Sequence, residues 1–196
     1  MPVEVFFRQE QDLTSIEHLA LNACTGKVLD VGAAAGALTL ALQQRDLEVT
    51  ALDHSVNCIE VMRKSGVKNC IQSDIWQHQA TYDTLLVLMN GMGLAGTLAR
   101  VPDFLQKLVS LMEPDGQILV DSSDIQYLYQ QGAVKPDHYY GEVRYRYEYL
   151  GNIGDWFDWV YVDPTTMTSI VKDLDLKVKL LYTASTDQYL MRISRS

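Results

Sequence analysis

The chain has only three cysteines, Cys24, Cys58 and Cys70, among 196 residues. An odd count, with no spacing typical of a metal or redox site, argues against a disulfide scaffold. Buried free thiols in a reducing compartment are the simpler reading, and a cytoplasmic protein with no bound metal is expected. Cations are also scarce: 16 Lys and Arg stand against 25 Asp and Glu, giving a net charge of −9. Such a surface repels phosphate backbones, and the scattered Lys and Arg build no basic patch, so no nucleic-acid partner is expected. No apolar run reaches the roughly 18 residues that argue for a membrane span, and neither a membrane association nor a signal peptide is expected. Repeats, low-complexity tracts and linkers are missing too. The length fits a single domain over 1–196, with a short N-terminal arm and helix at 1–25. The natural protein could extend beyond such a short arm. Oligomeric state leaves no mark in the sequence.

What is present is a regular alternation. Leu13, Ile16, Ala20 and Ala23 have helical spacing and predict a first helix over 10–23. Lys27 to Val31 reads as strand one, Ala35 to Arg45 as a helix and Glu48 to Leu52 as strand two. Ser55 suits the cap of a helix carrying Cys58, Val61 and Met62, which Gly66 stops. Asn69 to Ser73 is a short third strand. Residues 84–89, apolar at nearly every position, read as a fourth strand covered on both faces. A helix with Val101, Leu105, Leu108, Val109 and Met112 follows. The turn Glu113-Pro114-Asp115-Gly116 then leads into strand five, Gln117 to Asp121. Strands alternating with helices at this pitch predict a parallel α/β sheet. Residues 142–150 and 155–163 break the pattern as an inserted antiparallel hairpin, at about 142–162, turning at 151–154. A helix restarting at Asp163-Pro164 and strands at 176–183 and 188–194 close the chain. The expected fold is therefore Rossmann-like and doubly wound, with a mostly parallel seven-stranded sheet.

The chemistry concentrates after the first strand. Gly32 permits a sharp turn, and Gly36 permits tight packing as the next helix departs. The turn from Asp30 to Gly36 lacks the G-x-G-x-x-G triplet of dinucleotide folds, and no Lys-Ser/Thr pair follows to suggest a nucleoside triphosphate. At these residues the chain resembles the class I S-adenosylmethionine-dependent methyltransferases, whose first motif is an acidic residue followed by alternating glycines. Asp30, Gly32 and Gly36 match, and Ala34 replaces the middle glycine. The resemblance covers about 27–123 and, more loosely, 164–194. It implies S-adenosylmethionine as cofactor. It also implies that Asp53 accepts the ribose hydroxyls, that Ser73-Asp74-Ile75 reads the adenine, and that Asn90-Gly91 faces the reactive methyl. The implied cofactor contacts are Asp30, Gly32, Ala33, Ala34, Gly36, Asp53, His54, Ser55, Asp74, Ile75 and Asn90. Physically, Asp30 suits a cationic end, and Asp53 offers two acceptors to a diol. Taken singly, Asp53 and Asp74 could be ordinary caps and the alanine run only tight helix packing; their coincidence after three successive strands favours a ligand.

The acceptor is less legible. No catalytic base stands out, and Asn90 is the one positional candidate. The Gly91-Met92-Gly93 that follows it departs from the Pro-Pro-aromatic continuation of nucleic-acid amino-methyltransferases. Asp121, Ser122, Ser123 and Asp124 could orient a polar acceptor or simply form a solvated strand end. The hairpin carries tyrosines on one face and charges on the other; most of its rings are expected to cover core, and some to line a substrate pocket near the ends of strands four and five, where the hairpin would select the acceptor. Phe6, Phe7 and Arg8 are placed to fold across the cofactor. The expected activity is methyl transfer to a small molecule. A non-catalytic protein that binds S-adenosylmethionine or S-adenosylhomocysteine is the alternative, and a nucleotide-dependent oxidoreductase a more distant one.

Overall fold

In the computed structural model, which describes residues 3–132 and 134–196, the chain forms a seven-stranded sheet flanked by helices. Met1, Pro2 and Ala133, which fall within the domain expected over 1–196, lie outside the described residues. Helix α1 covers Ser15–Ala23, not 10–23. Thr14 is the reason: its hydroxyl and the Glu17 carboxylate cap each other's backbone reciprocally, fixing the start, while Glu10–Asp12 makes a separate 3-10 turn. Strand β1 (Lys27–Val31), α2 (Ala37–Gln43), β2 (Glu48–Asp53), α3 (Val56–Lys64) and β3 (Cys70–Gln72) follow as the periodicity predicts, within two residues or so at each end.

Strand β4 covers Tyr82–Val87, α4 covers Val101–Ser110 and β5 covers Met112–Ser123. The expected turn at 113–116 is an irregularity inside β5. Its register on β4 jumps from Tyr82↔Met112 to Thr84↔Gln117, so the Glu-Pro-Asp-Gly segment loops out of one continuous strand. A short α5 (Tyr127–Gln130) precedes the insertion. The insertion is two stacked ladders: β6 (Glu142–Tyr145) pairs with β9 (Phe157–Val160), and β7 (Glu148–Tyr149) pairs with β8 (Asn152–Ile153). The tip is Leu150-Gly151, both at positive φ, so the turn is tighter and earlier than the sequence suggests. Helix α6 (Pro164–Asp173), capped by Asp163, leads into the antiparallel pair β10 (Leu176–Thr183) and β11 (Gln188–Arg195).

The order is β10-β11-β5-β4-β1-β2-β3, parallel except for β11. Alternation along the strands builds two cores. Leu29, Val31, Leu85, Val87, Ile118 and Val120 face α4 and α6, whereas Val28, Leu86, Leu119 and Leu190 face α1 and α2. The parallel strands all end along one edge, where a doubly wound sheet opens its crevice. Among the described residues no helix is long and apolar enough to cross a membrane.

Candidate functional site

The turn after β1 is fixed by backbone bonds before any ligand is considered. The amides of Gly32 and Ala33 both donate to the Leu52 carbonyl, at 2.9 and 3.1 Å, and Gly36 N donates to Ala33 O at 2.8 Å. Three residues of this turn sit at positive φ: Gly32 (73°), Ala34 (50°) and Gly36 (84°). Ala34 therefore adopts the left-handed conformation that favours glycine. Its amide is held there by Asp53, whose Oδ2 accepts it at 2.9 Å. A Cβ on Gly36 would come within 2.8 Å of Val67 and 3.0 Å of Met62, so close packing on α3 explains that glycine.

Asp53 ends β2, and its Oδ1 accepts the Ser55 amide at 2.8 Å. The carboxylate thus joins the first turn to the loop that starts α3, and Ser55 in turn caps that helix through Cys58 N. Each Asp53 oxygen takes one backbone amide, which leaves lone pairs on both. His54 extends into solvent, its Nδ1 3.9 Å from Asp53 Oδ1. Across the β2–β3 pairing, Ser73 N donates to Asp53 O, which brings Asp74 and Ile75 alongside. Asp74 is exposed and accepts Trp76 N at 3.0 Å, while Ile75 packs against the α4-side core. Asp30 lies beneath the turn, buried, and Thr39 of α2 donates to its Oδ2 at 2.6 Å. Burial pushes the Asp30 carboxyl up to about 6; the charge of Asp53 adds to this, and the bonds from Thr39 oppose it.

At the end of β4, Met89 and Asn90 are both left-handed, with φ of 63° and 56°. Asp121 at the end of β5 holds this reversal, its Oδ1 accepting Gly91 N at 3.1 Å and its Oδ2 accepting Gln188 Nε2 at 2.8 Å. Burial drives its carboxyl to about 6 despite these bonds. Ser123 donates to Asn90 Oδ1 at 2.7 Å, and the amide NH2 of Asn90 donates to nothing among the described residues.

A cavity of about 610 Å³ connects these parts; Gly32, Ala34, Met89, Asn90 and Asp121 line its floor. Asp53, His54, Ser55, Gly36, Asp74 and Ile75 are not among its lining residues, and Asp30 and Ala33 line a small pocket beside it that shares Gly32 and Ala34. The N-terminal arm closes one side through Val5, Phe6 and Arg8. Arg8 clamps it, with a fork of bonds to Glu17 at 2.7 and 2.8 Å and a bond from Nε to Val5 O. Burial pushes the Glu17 carboxyl up, but the hydrogen bonds from Arg8 and Thr14 outweigh it and hold the group below its ordinary range. The hairpin forms the opposite wall through Tyr145, Tyr147, Phe157, Trp159 and Tyr161. Its rings line this space, as expected of some of them, and do not cover core as expected of most: Tyr147 is 64% exposed and Trp159 only partly buried. The hairpin base is tied to β5 and β11, where Val162 N donates to Ser122 Oγ and Tyr189 OH donates to Val162 O.

A family model described as a methyltransferase domain matches residues 7–180. The chain belongs to the class I S-adenosylmethionine-dependent methyltransferases. A crystal structure of such a methyltransferase from Bacteroides fragilis, in complex with S-adenosyl-L-homocysteine, is 39% identical with a TM-score of 0.93. That match covers 100% of this chain and 82% of the other. More distant methyltransferase-fold relatives share the architecture alone. The DhpI-SAM-HEP complex is 21% identical, with a TM-score of 0.69 and coverage of 91% and 83%. The CcbJ methyltransferase of Streptomyces caelestis is 13% identical, with the same TM-score and coverage of 92% and 94%. No protein with a curated function matches the methyltransferase chain.

Glu17, its pairing with Arg8, and the link from Asp121 to Gly91 escaped the sequence reading as site features of this methyltransferase. The capping pattern of Thr14 and Glu17 was readable, but only the fold shows Arg8 arriving from nine residues away to complete it.

Proposed function

We propose that this chain transfers a methyl group from S-adenosylmethionine to a small-molecule acceptor, using 1–196 as one domain. The observation that carries this reading is the single cavity running from the backbone of Gly32, Ala34 and Asn90 to an aromatic wall. Its volume lies within the usual range for small-ligand sites, roughly 300–1,000 Å³. The donor set fits the cofactor: a buried carboxylate for a cationic end, a carboxylate with free lone pairs on both oxygens for a diol, and a turn with little side chain over its backbone.

When bound, S-adenosylmethionine supplies a methyl group already activated by a positive sulfur. Asp53 would accept the two ribose hydroxyls, with the Ala34 and Ser55 amides holding its orientation. Asp30 would favour the cationic end, directly or through water. The backbone of Gly32, Ala33, Ala34 and Gly36 would line the amino-acid portion; Asp74 and Ile75 would meet the adenine, with His54 beside them. Asn90 NH2 would orient the acceptor atom. The rings and the Val5–Arg8 arm exclude water from that atom, and alignment with desolvation can contribute about 7–11 kcal/mol in well-oriented reactions. The charge of −9 supports a small acceptor over nucleic acid, and the free cysteines support a cytoplasmic setting.

One observation favours a second reading, a non-catalytic binding or regulatory protein. Both acids lining the cavity are already engaged, Glu17 by Arg8 and Thr14, and Asp121 by Gly91 and Gln188. A dedicated base is required only where the acceptor must lose a proton, so the transfer reading stands. Calorimetric titration with S-adenosylmethionine, S-adenosylhomocysteine and NAD tests the ligand, with binding of the first two and none of NAD expected. Mass spectrometry of co-purified small molecules, followed by a turnover assay for S-adenosylhomocysteine release, separates the two readings.

A further inference from the structure

One face of the hairpin is built of rings, and that face lines the cavity. In the β6–β9 register Tyr145 lies opposite Phe157 and Val143 opposite Trp159, while Arg144 pairs with Asp158 on the other face at 3.1 Å. Tyr147 stacks on Phe157 at 5.3 Å and 30°, yet remains 64% exposed, so much of its surface is free. Phe157 meets Trp159 edge-on at 6.3 Å and 79°. The cavity therefore has a flat wall at Tyr147 and Phe157, closed at one end by an indole set nearly at right angles.

The charges around this space are answered within the protein. Four charged side chains line it: Arg8, Glu17, Asp121 and Arg146. Arg8 and Glu17 neutralise each other through their fork at 2.7 and 2.8 Å. Asp121, 1% exposed, is held by the Gly91 amide and the Gln188 side chain. Arg146 turns its guanidinium onto Trp156 at 5.0 Å, a ring that does not line the cavity and that Arg144 shares at 5.8 Å. Tyr145 and Tyr161 bond their hydroxyls to each other at 3.2 Å, and burial, with that contact added, pushes the Tyr161 phenol up and keeps it neutral. Among the described residues the buried side-chain polar atom without a partner is Arg192 Nε, which lies away from the cavity. The open polar group at the cavity floor is the amide NH2 of Asn90, an uncharged donor.

We propose that the acceptor is an uncharged, planar aromatic compound, its ring against Tyr147 and Phe157 and a hydrogen-bond-accepting atom towards Asn90. This deepens the transfer reading above and rests on it. A charged acceptor of either sign would leave water for a space with no free counter-charge, which is costly. An anion would also meet the field of a chain of net charge −9. Ring faces alone would attract a cationic amine. The one lining carboxylate without a cationic partner is Asp121, however, and it is buried under its own two donors. A saturated ring would bury similar area but forgo the stacking that aromatic pairs gain beyond area.

The test is a ligand-observed NMR titration of the full chain with four probes of similar size: p-cresol, 4-methylcyclohexanol, p-hydroxybenzoate and tyramine. Each is run with and without S-adenosylhomocysteine. p-Cresol should bind about fivefold tighter than 4-methylcyclohexanol, within what ring contacts add beyond area, and at least about tenfold tighter than either charged probe. Tyr147→Leu keeps an apolar side chain at an exposed position but removes the ring, so it should bring p-cresol and 4-methylcyclohexanol within about twofold of each other, whereas Tyr147→Phe should keep the preference. Circular dichroism checks that both variants fold. The proposal is overturned if the saturated alcohol or either charged probe binds as tightly as p-cresol. It is equally overturned if the preference survives in Tyr147→Leu, or if none of the four binds a chain that does bind S-adenosylhomocysteine. Should S-adenosylhomocysteine fail to bind while the ring-dependent preference remains, the cofactor reading falls and the aromatic site stands.

Discussion

Replacing Ala34 with glycine should stabilise the protein, although glycine normally destabilises the position it enters. Ala34 has φ of 50°, where its Cβ crowds the backbone, and an L-residue held there costs roughly 1–2 kcal/mol relative to glycine. Glycine adds freedom to the unfolded chain, which opposes the gain by about 0.4–1 kcal/mol. The difference favours the variant by about 0–1.6 kcal/mol, centred near about 0.8 kcal/mol. For a chain of this length that corresponds to a rise of roughly 1–4 °C in Tm.

The turn should keep its shape, because its conformation is set by neighbours and not by the methyl. The Leu52 carbonyl takes two of its amides and Asp53 takes the Ala34 amide itself. S-Adenosylhomocysteine affinity should therefore hold or improve. Ala35→Gly is the control, one residue along, buried and without positive φ. It loses a buried methyl, worth about 0.8 kcal/mol, and gains unfolded freedom, so it should fall in stability. Urea denaturation of both variants measures the contrast. A loss of stability in Ala34→Gly, or equal shifts in the two variants, would refute the claim that the native turn stores strain at Ala34.

Three further outcomes follow. Asp53→Ala should weaken S-adenosylhomocysteine binding by about 1.5–3 kcal/mol in calorimetry while circular dichroism shows a folded chain; unchanged affinity would remove Asp53 from the ribose role. Asp30 and Asp121 carry folded pKa values of about 6, mainly through burial, against an unfolded value of 3.8. Between those values the folded state binds the extra protons, so both groups favour the fold at low pH and this contribution is lost as pH rises towards 6. It amounts to at most about 3 kcal/mol each. The Tm advantage of wild type over Asp121→Asn should therefore shrink between pH 4 and pH 7, on the order of that window; a constant difference would contradict the shift. Gly93→Ala should destabilise by about 1–3 kcal/mol and change Trp159 fluorescence, because the new Cβ would sit 1.9 Å from the indole ring. A stable variant with unaltered emission would show that the ring does not pack there.

The sheet was legible in the sequence because each strand and helix announces itself locally. An apolar run such as 84–89 and a stripe such as Val101, Leu105 and Leu108 need no knowledge of their partners. The cofactor-side turn was legible for the same reason: Asp30 to Gly36 are consecutive, and Asp53 follows a recognisable strand. Less was readable where function depends on residues distant in sequence. In the sequence Ala34 is only an alanine in place of the family's middle glycine, whereas its φ makes it a question of backbone strain. Gly93 entered the sequence reading only as a departure from the Pro-Pro-aromatic continuation, but its reason is the indole of Trp159, 66 residues later. The hairpin shows the limit most plainly. Alternation in 143–149 correctly separates rings from charges, yet alternation alone says only that one face is apolar, not whether core or cavity lies against it. That depends on how far the hairpin stands from the sheet, which the bonds of Ser122 and Tyr189 to Val162 fix across some 40 and 27 residues of sequence. A ring face that hydrophobic patterning assigns mostly to the interior can thus become the wall of a cavity.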